Sequence, residues 1–478
     1  MIAVPVPRIL RRPRPYDTLK TIPIFREAVV EHRWPLSNVR RSVDVADVSE
    51  PNLMREQFPY HEPPKVLFDG IGVPADPPDE IIITDTTFRD GQQARAPLEV
   101  GQIVRLFDLL HRLSGPNGVI RKSEFFLYGV RDRQAVAEVL SRGYRFPEVT
   151  GWVRAKPEDL RLVREAGLKE TGILTSCSDY HIFMKLGWTR RKALDNYLAV
   201  VSEALSQGLR VRCHLEDLTR ADIYGFVLPL AQRLMGLADQ ARIPVILRLC
   251  DTMGYGVPYP GAVLPRSVPR LVHVMTNEAG VPKAWLEWHG HNDFYKVLIN
   301  ASTAWLYGCA SANGTLLGYG ERTGNTPIEG LVFEYAGLMG GLNGMDTTAI
   351  AEVAEFMERE CQYSIPVTQP FVGRAFNATS AGIHADGAMK NEEIYNIFDT
   401  GALLNRPPAV NVTDRSGAAG IAFWVRQHTG RTHPKEHPAI EAIHAWVNQQ
   451  YAAGRTTAIS DEEMADQVKR HFQEVPLS

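Results

Sequence analysis

Two histidines separated by a single residue lie beside acidic and amide side chains in the stretch Leu286–Asp293 (LEWHGHND). Side chains alternate between the two faces of a strand, so His289 and His291 would point the same way if this stretch is extended. Two imidazoles at the end of a strand can clamp a metal ion. A pair of hydrogen-bonded core histidines is the ordinary alternative, because so short a motif often matches by accident. A metal site therefore requires further ligands from elsewhere in the chain.

Strand-like and helix-like segments alternate eight times around this motif. Each strand-like run is short and rich in β-branched or aromatic residues, which is typical of buried parallel strands. The predicted strands are 81–84, 125–127, 149–153, 172–175, 211–215, 244–249, 285–289 and 309–317. The predicted helices are 97–110, 134–140, 157–166, 190–206, 226–237, 268–277, 297–306 and 328–338. Eight such units over about 250 residues predict an α/β fold of the (β/α)8 TIM-barrel type, with a doubly wound open sheet as the alternative.

Polar residues of catalytic type follow five of the eight predicted strands. In a barrel the chemistry lies at the carboxyl ends of the strands, so these groups would share one rim. They are Asp85–Gln93 after strand one, Arg212–Asp217 on strand five, Asp251–Gly254 after strand six, His289–Asp293 after strand seven and Gly318–Asn325 after strand eight. Each group alone has a structural explanation, such as a local ion pair, a helix cap or a turn. Their joint occurrence at one rim indicates an active site.

Asp90, His289 and His291 together would supply one carboxylate and two imidazoles, with positions left for water or substrate. This set suits a divalent cation, with Mn²⁺ or Mg²⁺ preferred and Co²⁺ or Zn²⁺ as alternatives. Such an ion can chelate a 2-oxo acid and polarise its keto group. Arg89 would stabilise the alkoxide that develops, and the guanidinium of Arg212 can hold a distal carboxylate. Glycines in the stretch after strand eight would let the backbone approach a bulky ligand closely.

Three motifs carry a family resemblance: Thr86–Gln93 (TTFRDGQQ), His289–Asp293 (HGHND) and Gly318–Asn325 (GYGERTGN). They resemble the DRE-TIM metallolyase superfamily, and within it the Claisen-condensing branch of isopropylmalate, homocitrate and citramalate synthases. Arg212–Asp217 (RCHLED) and Ala381–Gly387 (AGIHADG) are similar to the Re-type citrate synthases of that branch. The similarity extends over residues 81–421 and is therefore far more specific than one motif.

The resemblance implies a role for each matching residue. It implies the metal ligands Asp90, His289 and His291 and the catalytic residues Arg89, Glu216, His384 and Tyr395. It implies substrate contacts from Gln93, Arg212, His214 and Thr252, and an acetyl-CoA loop formed by Gly318, Gly320, Glu321, Gly324 and Asn325. Isopropylmalate synthases add an asparagine ligand, whose position is matched here by Leu317, so water or substrate is expected to complete the shell.

The substrate prediction depends on the fifth strand. Homocitrate synthases carry an arginine at the position of Arg212 and isopropylmalate synthases do not, so the resemblance favours a dicarboxylic 2-oxo acid. His214 replaces a small serine, and its bulk would shorten the pocket from 2-oxoglutarate to oxaloacetate. The predicted reaction is the condensation of acetyl-CoA with oxaloacetate to citrate and CoA. Alternatives are a homocitrate, isopropylmalate or citramalate synthase, a hydroxyacyl-CoA lyase, and a metal-binding barrel without activity.

Four segments are predicted along the chain. Residues 1–80 form a proline-rich extended arm lying on the barrel or on a partner subunit, and residues 81–340 form the barrel. Residues 341–405 form a lid or linker subdomain, in which the polar stretch 377–395 is expected to be a loop carrying His384 and Tyr395. Residues 406–478 form a helical subdomain with helices near 440–451 and 462–472. The resemblance implies that this C-terminal part swaps over the partner's barrel in a homodimer.

The composition is that of a globular protein, with 44% hydrophobic and 22% charged residues. A net charge of −3 gives no reason to expect nucleic acid or an anionic membrane as partner. The 5 cysteines form no CxxC pair, which is typical of a reducing cytoplasm and argues against a disulfide framework. No stretch approaches the roughly 18 apolar residues of a membrane span. We therefore expect a cytoplasmic enzyme with small-molecule substrates.

Overall fold

A closed barrel of eight parallel strands forms the centre of the computed structural model, which describes residues 34–36, 42–94 and 97–472. Strands β1 to β8 are Ile82–Asp85, Ile120–Phe126, Glu148–Arg154, Glu170–Ser176, Arg210–Glu216, Val245–Asp251, Leu286–Gly290 and Ser311–Gly314. Helices α1 to α8, which follow them in turn, are Val100–Ser114, Val130–Ser141, Leu160–Glu165, Arg190–Ser206, Leu228–Ala241, Val268–His273, Val297–Tyr307 and Ile328–Met339. Strand β8 pairs with β1 to close the sheet. The prediction of a (β/α)8 TIM barrel is confirmed.

Helix α1 shows why these segments take their positions. Its first turn is closed by a reciprocal bond, since the Glu99 and Gln102 side chains each accept from the other's backbone N–H. Ile103, Phe107 and Leu110 then recur at helical spacing and are buried against the barrel. Each such buried side chain contributes about 1.5–3 kcal/mol through loss of contact with water.

Two strand boundaries differ from the prediction by three residues or more. Strand β2 begins at Ile120, five residues before the predicted start. Ion pairs hold these extra residues at the end of the barrel where the strands begin: Arg121 pairs with Glu80, and Lys122 pairs with Glu170. Strand β8 ends at Gly314, before the predicted residue 317. The chain there enters a single 3₁₀ turn, Leu316–Gly318, in which Leu317 has a φ of 58°.

The barrel interior below the rim is charged. Five side chains from β2, β4, β5, β6 and β7, each at most 1% exposed, form what we call the charged layer: Glu124, Glu170, Arg212, Arg248 and Glu287. Arg212 contacts all three carboxylates at 2.6–3.0 Å, and Arg248 contacts Glu124 and Glu287, both at 2.8 Å. Buried charges need such partners, because an unpaired one would cost several kcal/mol.

The arm over residues 42–80 is extended and lies on the barrel of its own chain. The backbone N–H of Val43 donates to the Gln232 side chain at 2.7 Å, and Arg190 donates to the carbonyl of Ala46 at 2.9 Å. Further along, the main chain of Phe68 pairs with that of Ala262. The basic positions of the arm between residues 8 and 14, and Arg40 and Arg41, lie outside the described residues.

Residues beyond the barrel form further helices and a second hydrophobic core. Helices α9 to α14 are Ala349–Arg359, Gly382–Lys390, Thr400–Leu404, Gly417–Thr429, Pro438–Ala452 and Asp461–His471. Helices α10, α12, α13 and α14 pack around a core that includes Trp424, Val447 and Met464, beside the short parallel strands β9 (Ala378–Thr379) and β10 (Ala409–Val410). The two predicted C-terminal helices are confirmed. The expectation of a loop over 377–395 is wrong, because α10 occupies its centre.

No helix within the part of the chain that the structure describes combines the length and apolar character needed to span a bilayer.

Candidate metal centre and active site

Asp90, His289 and His291 come together at the carboxyl ends of β1 and β7. Their potential ligand atoms all lie within 4.8 Å of one another. The Nε2 atoms of His289 and His291 are 3.2 Å and 3.5 Å from Oδ2 of Asp90, and all three residues are buried. The structure thus gathers the three residues that the sequence predicted as metal ligands.

Neighbouring side chains orient His289. Its Nδ1 lies 2.7 Å from Oδ1 of Asn313, whose amide nitrogen donates to Oγ1 of Thr84 at 3.0 Å. Because an amide oxygen only accepts, Nδ1 carries a proton, and Nε2, which faces Asp90, is the ring atom that could bind a cation. The hydroxyl of Thr84 also bonds Glu287, so the charged layer supports the metal centre from below.

The charge states of the other two residues also suit a cation. Burial lowers the pKa of His291 to about 4, against the opposing charge of Asp90, so its ring is neutral at pH 7. Burial acts to raise the pKa of Asp90, but Arg89 and the two histidines outweigh it and hold that pKa well below the usual value. The centre therefore offers an ionised carboxylate and neutral imidazole nitrogen, the forms in which these groups bind metals.

A fourth polar group, not expected at this place, completes the cluster. Nδ2 of Asn325 donates to Oδ2 of Asp90 at 2.8 Å, and Oδ1 of Asn325 is buried with no hydrogen-bond partner among the described residues. Leu317, matched to the fourth ligand in the sequence, is an apolar core residue. The expectation that water or substrate completes the shell stays a prediction, and the amide oxygen of Asn325 is an additional candidate ligand beside it. A carboxylate, two imidazoles and an amide oxygen fit a divalent ion such as Mn²⁺ or Mg²⁺.

The glycines after β8 fold this loop back on itself. Gly318 and Gly324 have φ values of 67° and 92°, and the N–H of Asn325 donates to the carbonyl of Gly318 at 3.0 Å. A Cβ at Gly320 would collide with the Asn325 side chain. The loop's own atoms thus fill the side of the backbone on which a Cβ would project at these glycines. This folding of the loop brings Asn325 to Asp90.

A cavity of about 240 Å³ opens beside the metal centre. Nine of its lining residues were predicted as site residues: Arg89, Asp90, Gln93, His214, Glu216, Thr252, His289, His291 and Glu321. Four were not: Trp152, Leu174, Lys185 and Cys250. The rim of the barrel is therefore one continuous site built from the ends of six or more different strands and their loops.

Arg89 is held at the edge of the metal centre. Its Nε donates to Glu124 at 3.0 Å, one Nη lies 3.7 Å from Asp90, and its guanidinium lies 5.7 Å from the ring centroid of Trp152. Three contacts from different directions fix the planar group. Its positive charge is thereby set where negative charge would develop on a ligand of the ion.

Arg212 does not line the cavity. Its side chain is 1% exposed, and each guanidinium nitrogen contacts a carboxylate of the charged layer. The structure therefore does not support its predicted direct contact with a distal carboxylate. Its charge is balanced inside the barrel, where it supports Glu124.

His214 does reach the cavity, and its proton position is determined by Glu124. Nε2 of His214 lies 3.0 Å from Oε1 of Glu124, and since a carboxylate only accepts, the proton is on Nε2. Burial lowers the pKa of His214 to about 3 despite the nearby carboxylate, so the ring is neutral. Glycine at position 172 leaves room for this pair, since a Cβ there would lie only 2.6 Å from Nε2 of His214.

Glu216, at the end of β5, has three partners that the sequence reasoning missed. Its Oε2 accepts from the Ser176 hydroxyl, lies 2.9 Å from Nδ1 of His181, and Nζ of Lys185 is 3.3 Å from both oxygens. Burial acts to raise the pKa of Glu216, but His181, Ser176 and Lys185 outweigh it and lower the pKa to about 2. The polar run SCSDYH after strand four was the signal that could have found them.

Thr252 and Gln93 complete the cavity wall. The hydroxyl of Thr252 accepts from the N–H of Asp217 at 2.8 Å, which leaves its own proton free for a ligand. Gln93 lies on the short turn Gly91–Gln93 and is exposed at the opening. Both positions suit contacts with a polar substrate.

His384 and Tyr395 lie apart from this cavity in the single chain. They face each other with ring centroids 4.6 Å apart and line a separate cavity of about 500 Å³ with Ser380 and Arg415. His384 is in the first turn of α10, and Tyr395 follows the turn Glu392–Ile394. The predicted pair therefore forms, but one chain does not bring it to the metal centre.

The closed barrel and the cluster of three residues that could hold a metal ion are those of a TIM-barrel enzyme, and the chain belongs to the HMGL-like family, whose model matches residues 80–357. The predicted DRE-TIM relationship is thereby confirmed. The chain is 55% identical over 439 residues to a citrate (Re)-synthase of Syntrophus aciditrophicus, covering 91% of this chain and 70% of that protein. It is 52% identical over 433 residues to a citrate (Re)-synthase of Clostridium kluyveri, covering 90% and 96%. A 2-phosphinomethylmalate synthase of Streptomyces hygroscopicus is 36% identical over 435 residues, covering 90% and 98%.

Proposed function

We propose that this protein is a metal-dependent acyltransferase that condenses acetyl-CoA with oxaloacetate to give citrate and CoA. The observation that carries the proposal is the cluster of Asp90, His289 and His291 beside a cavity that also holds Arg89 and Glu216. Two relatives above 50% identity named citrate (Re)-synthase support it.

The metal would be held by Asp90, His289, His291 and Asn325, whose oxygen and nitrogen atoms favour Mn²⁺ or Mg²⁺, with Co²⁺ or Zn²⁺ as alternatives. When bound, the ion supplies Lewis-acid polarisation of the keto group. Arg89, fixed between Glu124 and Asp90, stabilises the alkoxide oxygen.

The cavity wall orients the oxo acid. The free hydroxyl proton of Thr252 and the amide of Gln93 donate to substrate oxygens, and the ring of His214 limits the length of the acid. A small pocket favours a four-carbon acid over longer ones because each extra methylene must displace packed atoms. Glu321 lines the cavity. It belongs to the proposed acetyl-CoA loop, together with Gly318, Gly320, Gly324 and Asn325.

A base must remove a methyl proton from acetyl-CoA, and Glu216, His384 and Tyr395 are the proposed candidates. The thioester methyl is a weak acid, so the base acts through close positioning against the methyl group. Glu216 is ionised and faces the cavity. The carbanion attacks the keto carbon, and water then cleaves the thioester of the condensation product, which makes the reaction effectively one-way.

We propose that His384 and Tyr395 act on the cavity of a second copy, in a homodimer with exchanged C-terminal parts. Around them α10 and the following turn expose Ile383, Ile394 and Ile397, which are 78%, 54% and 99% exposed. Apolar side chains so exposed beside a candidate catalytic pair favour burial by another surface. We propose as segment boundaries 1–80, 81–340, 341–405 and 406–478, and a cytoplasmic location.

The experiment is a panel of 2-oxo acids incubated with acetyl-CoA and the purified protein, with thiol release as the readout, with and without a chelator. We expect release with oxaloacetate to exceed that with 2-oxoglutarate, pyruvate or 2-oxoisovalerate, and to stop on chelation and return with Mn²⁺. Formation of citrate is checked by mass. Release that is best with another acid, or that resists a strong chelator, would refute the proposal.

A further inference from the structure

An oxo diacid bound through its first carboxylate and keto oxygen leaves a second carboxylate inside the cavity. A carboxylate removed from water needs a cation or several donors, because its desolvation otherwise costs several kcal/mol. The cavity therefore requires a group that meets this charge, and the predicted group, Arg212, is saturated by the charged layer.

Two lining residues of this cavity carry a positive charge, Arg89 and Lys185. Arg89 contacts Glu124 and Asp90 and so serves the metal side of the site. Lys185 lies on the other side, in the turn Tyr180–Lys185 after β4, and reaches Glu216 at the end of β5. In an eight-stranded barrel the ends of β4 and β5 lie across the rim from that of β1, which precedes Asp90. Lys185 therefore lies where the far end of a metal-chelated diacid would extend.

The contacts of Lys185 leave it free to change partner. Its side chain is 50% exposed, and its Nζ lies 3.3 Å from both Glu216 oxygens and 3.4 Å from Nδ1 of His181, contacts that are all longer than a short charged hydrogen bond. Glu216 keeps the Ser176 hydroxyl and His181 when the ammonium turns away. An ammonium on a flexible four-carbon stem can make this exchange at little cost.

We propose that Lys185 is the specificity-determining cation that receives the distal carboxylate of the oxo diacid, and that it leaves Glu216 to do so. The inference rests on the proposed function. It has a second consequence: release of one cation makes the Glu216 carboxylate a stronger base when a diacid is bound, because one of the charges that lowers its pKa is removed. Binding of the correct acid and activation of the base are then coupled.

The test compares two acids that differ only in this carboxylate, oxaloacetate and pyruvate, by titration calorimetry on the Mn²⁺-loaded full-length protein without acetyl-CoA. Lys185→Met removes the charge and keeps the length of the side chain. We expect about 10- to 100-fold weaker binding of oxaloacetate, the usual loss for a charged hydrogen bond, and pyruvate binding unchanged within about twofold. Lys185→Arg should recover most of the preference.

The matched control is Lys192→Met, an exposed lysine on α4 whose ammonium lies 5.4 Å from the ring of Trp188 and outside the cavity. It should leave both affinities unchanged. An unchanged ratio of the two affinities in Lys185→Met would overturn the inference, whether both acids keep their affinity or both lose it equally. Failure of the proposed function shows differently, because the wild-type protein would then not prefer oxaloacetate to pyruvate.

Discussion

The amide nitrogen of Asn325 donates to Oδ2 of Asp90 at 2.8 Å, although 235 positions separate the two residues in the chain. The contact joins the loop after β8 to the end of β1, and the positive φ values of Gly318 and Gly324 make it possible. It places the fourth polar group of the metal centre on the segment proposed to bind acetyl-CoA. We therefore expect metal binding at the proposed centre to depend on the shape of that loop.

Asn325→Ala should lower the affinity for Mn²⁺ by about 10- to 100-fold, because it removes a group that either binds the ion or orients Asp90. Metal content after dialysis against graded chelator measures this. Asn448→Ala, on the exposed side of α13, is the matched control and should retain the wild-type affinity. Equal retention by both variants would remove Asn325 from the metal centre.

Replacing His289 and Glu216 by alanine should separate metal binding from proton transfer. Both variants should lose turnover by about 10²-fold or more, but only His289→Ala should lose its metal, since Glu216 contacts Ser176, His181 and Lys185. Metal analysis beside thiol-release assays gives both numbers. Equal metal content in the two proteins would contradict our assignment of roles.

His214→Ser should shift the preference towards 2-oxoglutarate by about tenfold, because removing the ring lengthens the cavity by roughly one methylene. The quantity to measure is the ratio of kcat/KM for 2-oxoglutarate and oxaloacetate. Leu174→Ala, which enlarges the cavity at another wall, serves as the comparison and should shift the ratio less. If the ratio does not change in His214→Ser, the ring does not set the length of the acid.

Gly172→Ala should destabilise the barrel by about 1–3 kcal/mol, because the added methyl would lie 2.6 Å from Nε2 of His214 and 2.7 Å from Oε1 of Glu124. The free energy of unfolding in urea measures the effect. Gly236→Ala is the control and should raise the free energy of unfolding, since no atom lies within 4 Å of the added methyl and alanine is more favourable than glycine in the interior of α5. A barrel equally stable with alanine at residue 172 would show that the Glu124–His214 pair tolerates displacement.

The buried His214 should make the protein less stable in mild acid. Its pKa is lowered from 6.5 to about 3 in the fold, so below pH 6.5 the unfolded chain takes up a proton that the native state does not. Stability from this residue is complete above pH 6.5 and falls as the pH drops towards 3, by roughly 2 kcal/mol at pH 5. His214→Gln should lose less between pH 7.5 and pH 5 than the wild type in urea unfolding. A variant with the same loss would place the sensitivity elsewhere.

The barrel and the three metal ligands could be predicted because both follow from short-range rules. Helical and strand periodicity identifies the βα units, and the carboxyl ends of parallel strands meet at one rim, so Asp90 and His289 had to be neighbours once the sheet closed. Strand alternation also places Arg212 and His214 on the same side of their strand. It could not assign their depth: two residues along a strand are about 6.6 Å, enough to put Arg212 in the charged layer and His214 at the cavity.

Contacts made by loops escaped the sequence reasoning for a different physical reason. Lys185 and His181 reach Glu216 from a turn after β4, and Asn325 reaches Asp90 through a loop of unusual backbone dihedrals. No periodic pattern records where such a loop folds back. The pairing of His384 with Tyr395 was implied by the family resemblance and not by any periodic pattern, and their ring centroids lie 4.6 Å apart.

The charged layer also restricts how this enzyme can diverge. Glu124 alone is shared by Arg89, Arg212 and Arg248, so a neutral residue in place of any of these arginines would remove a positive charge that balances a carboxylate in a dry interior. Drift at that depth would need paired replacements, whereas the rim loops can accept substitutions one at a time. New substrate preferences in descendants of this sequence should accordingly arise first through substitutions in the rim loops, and only later, if at all, in the charged layer.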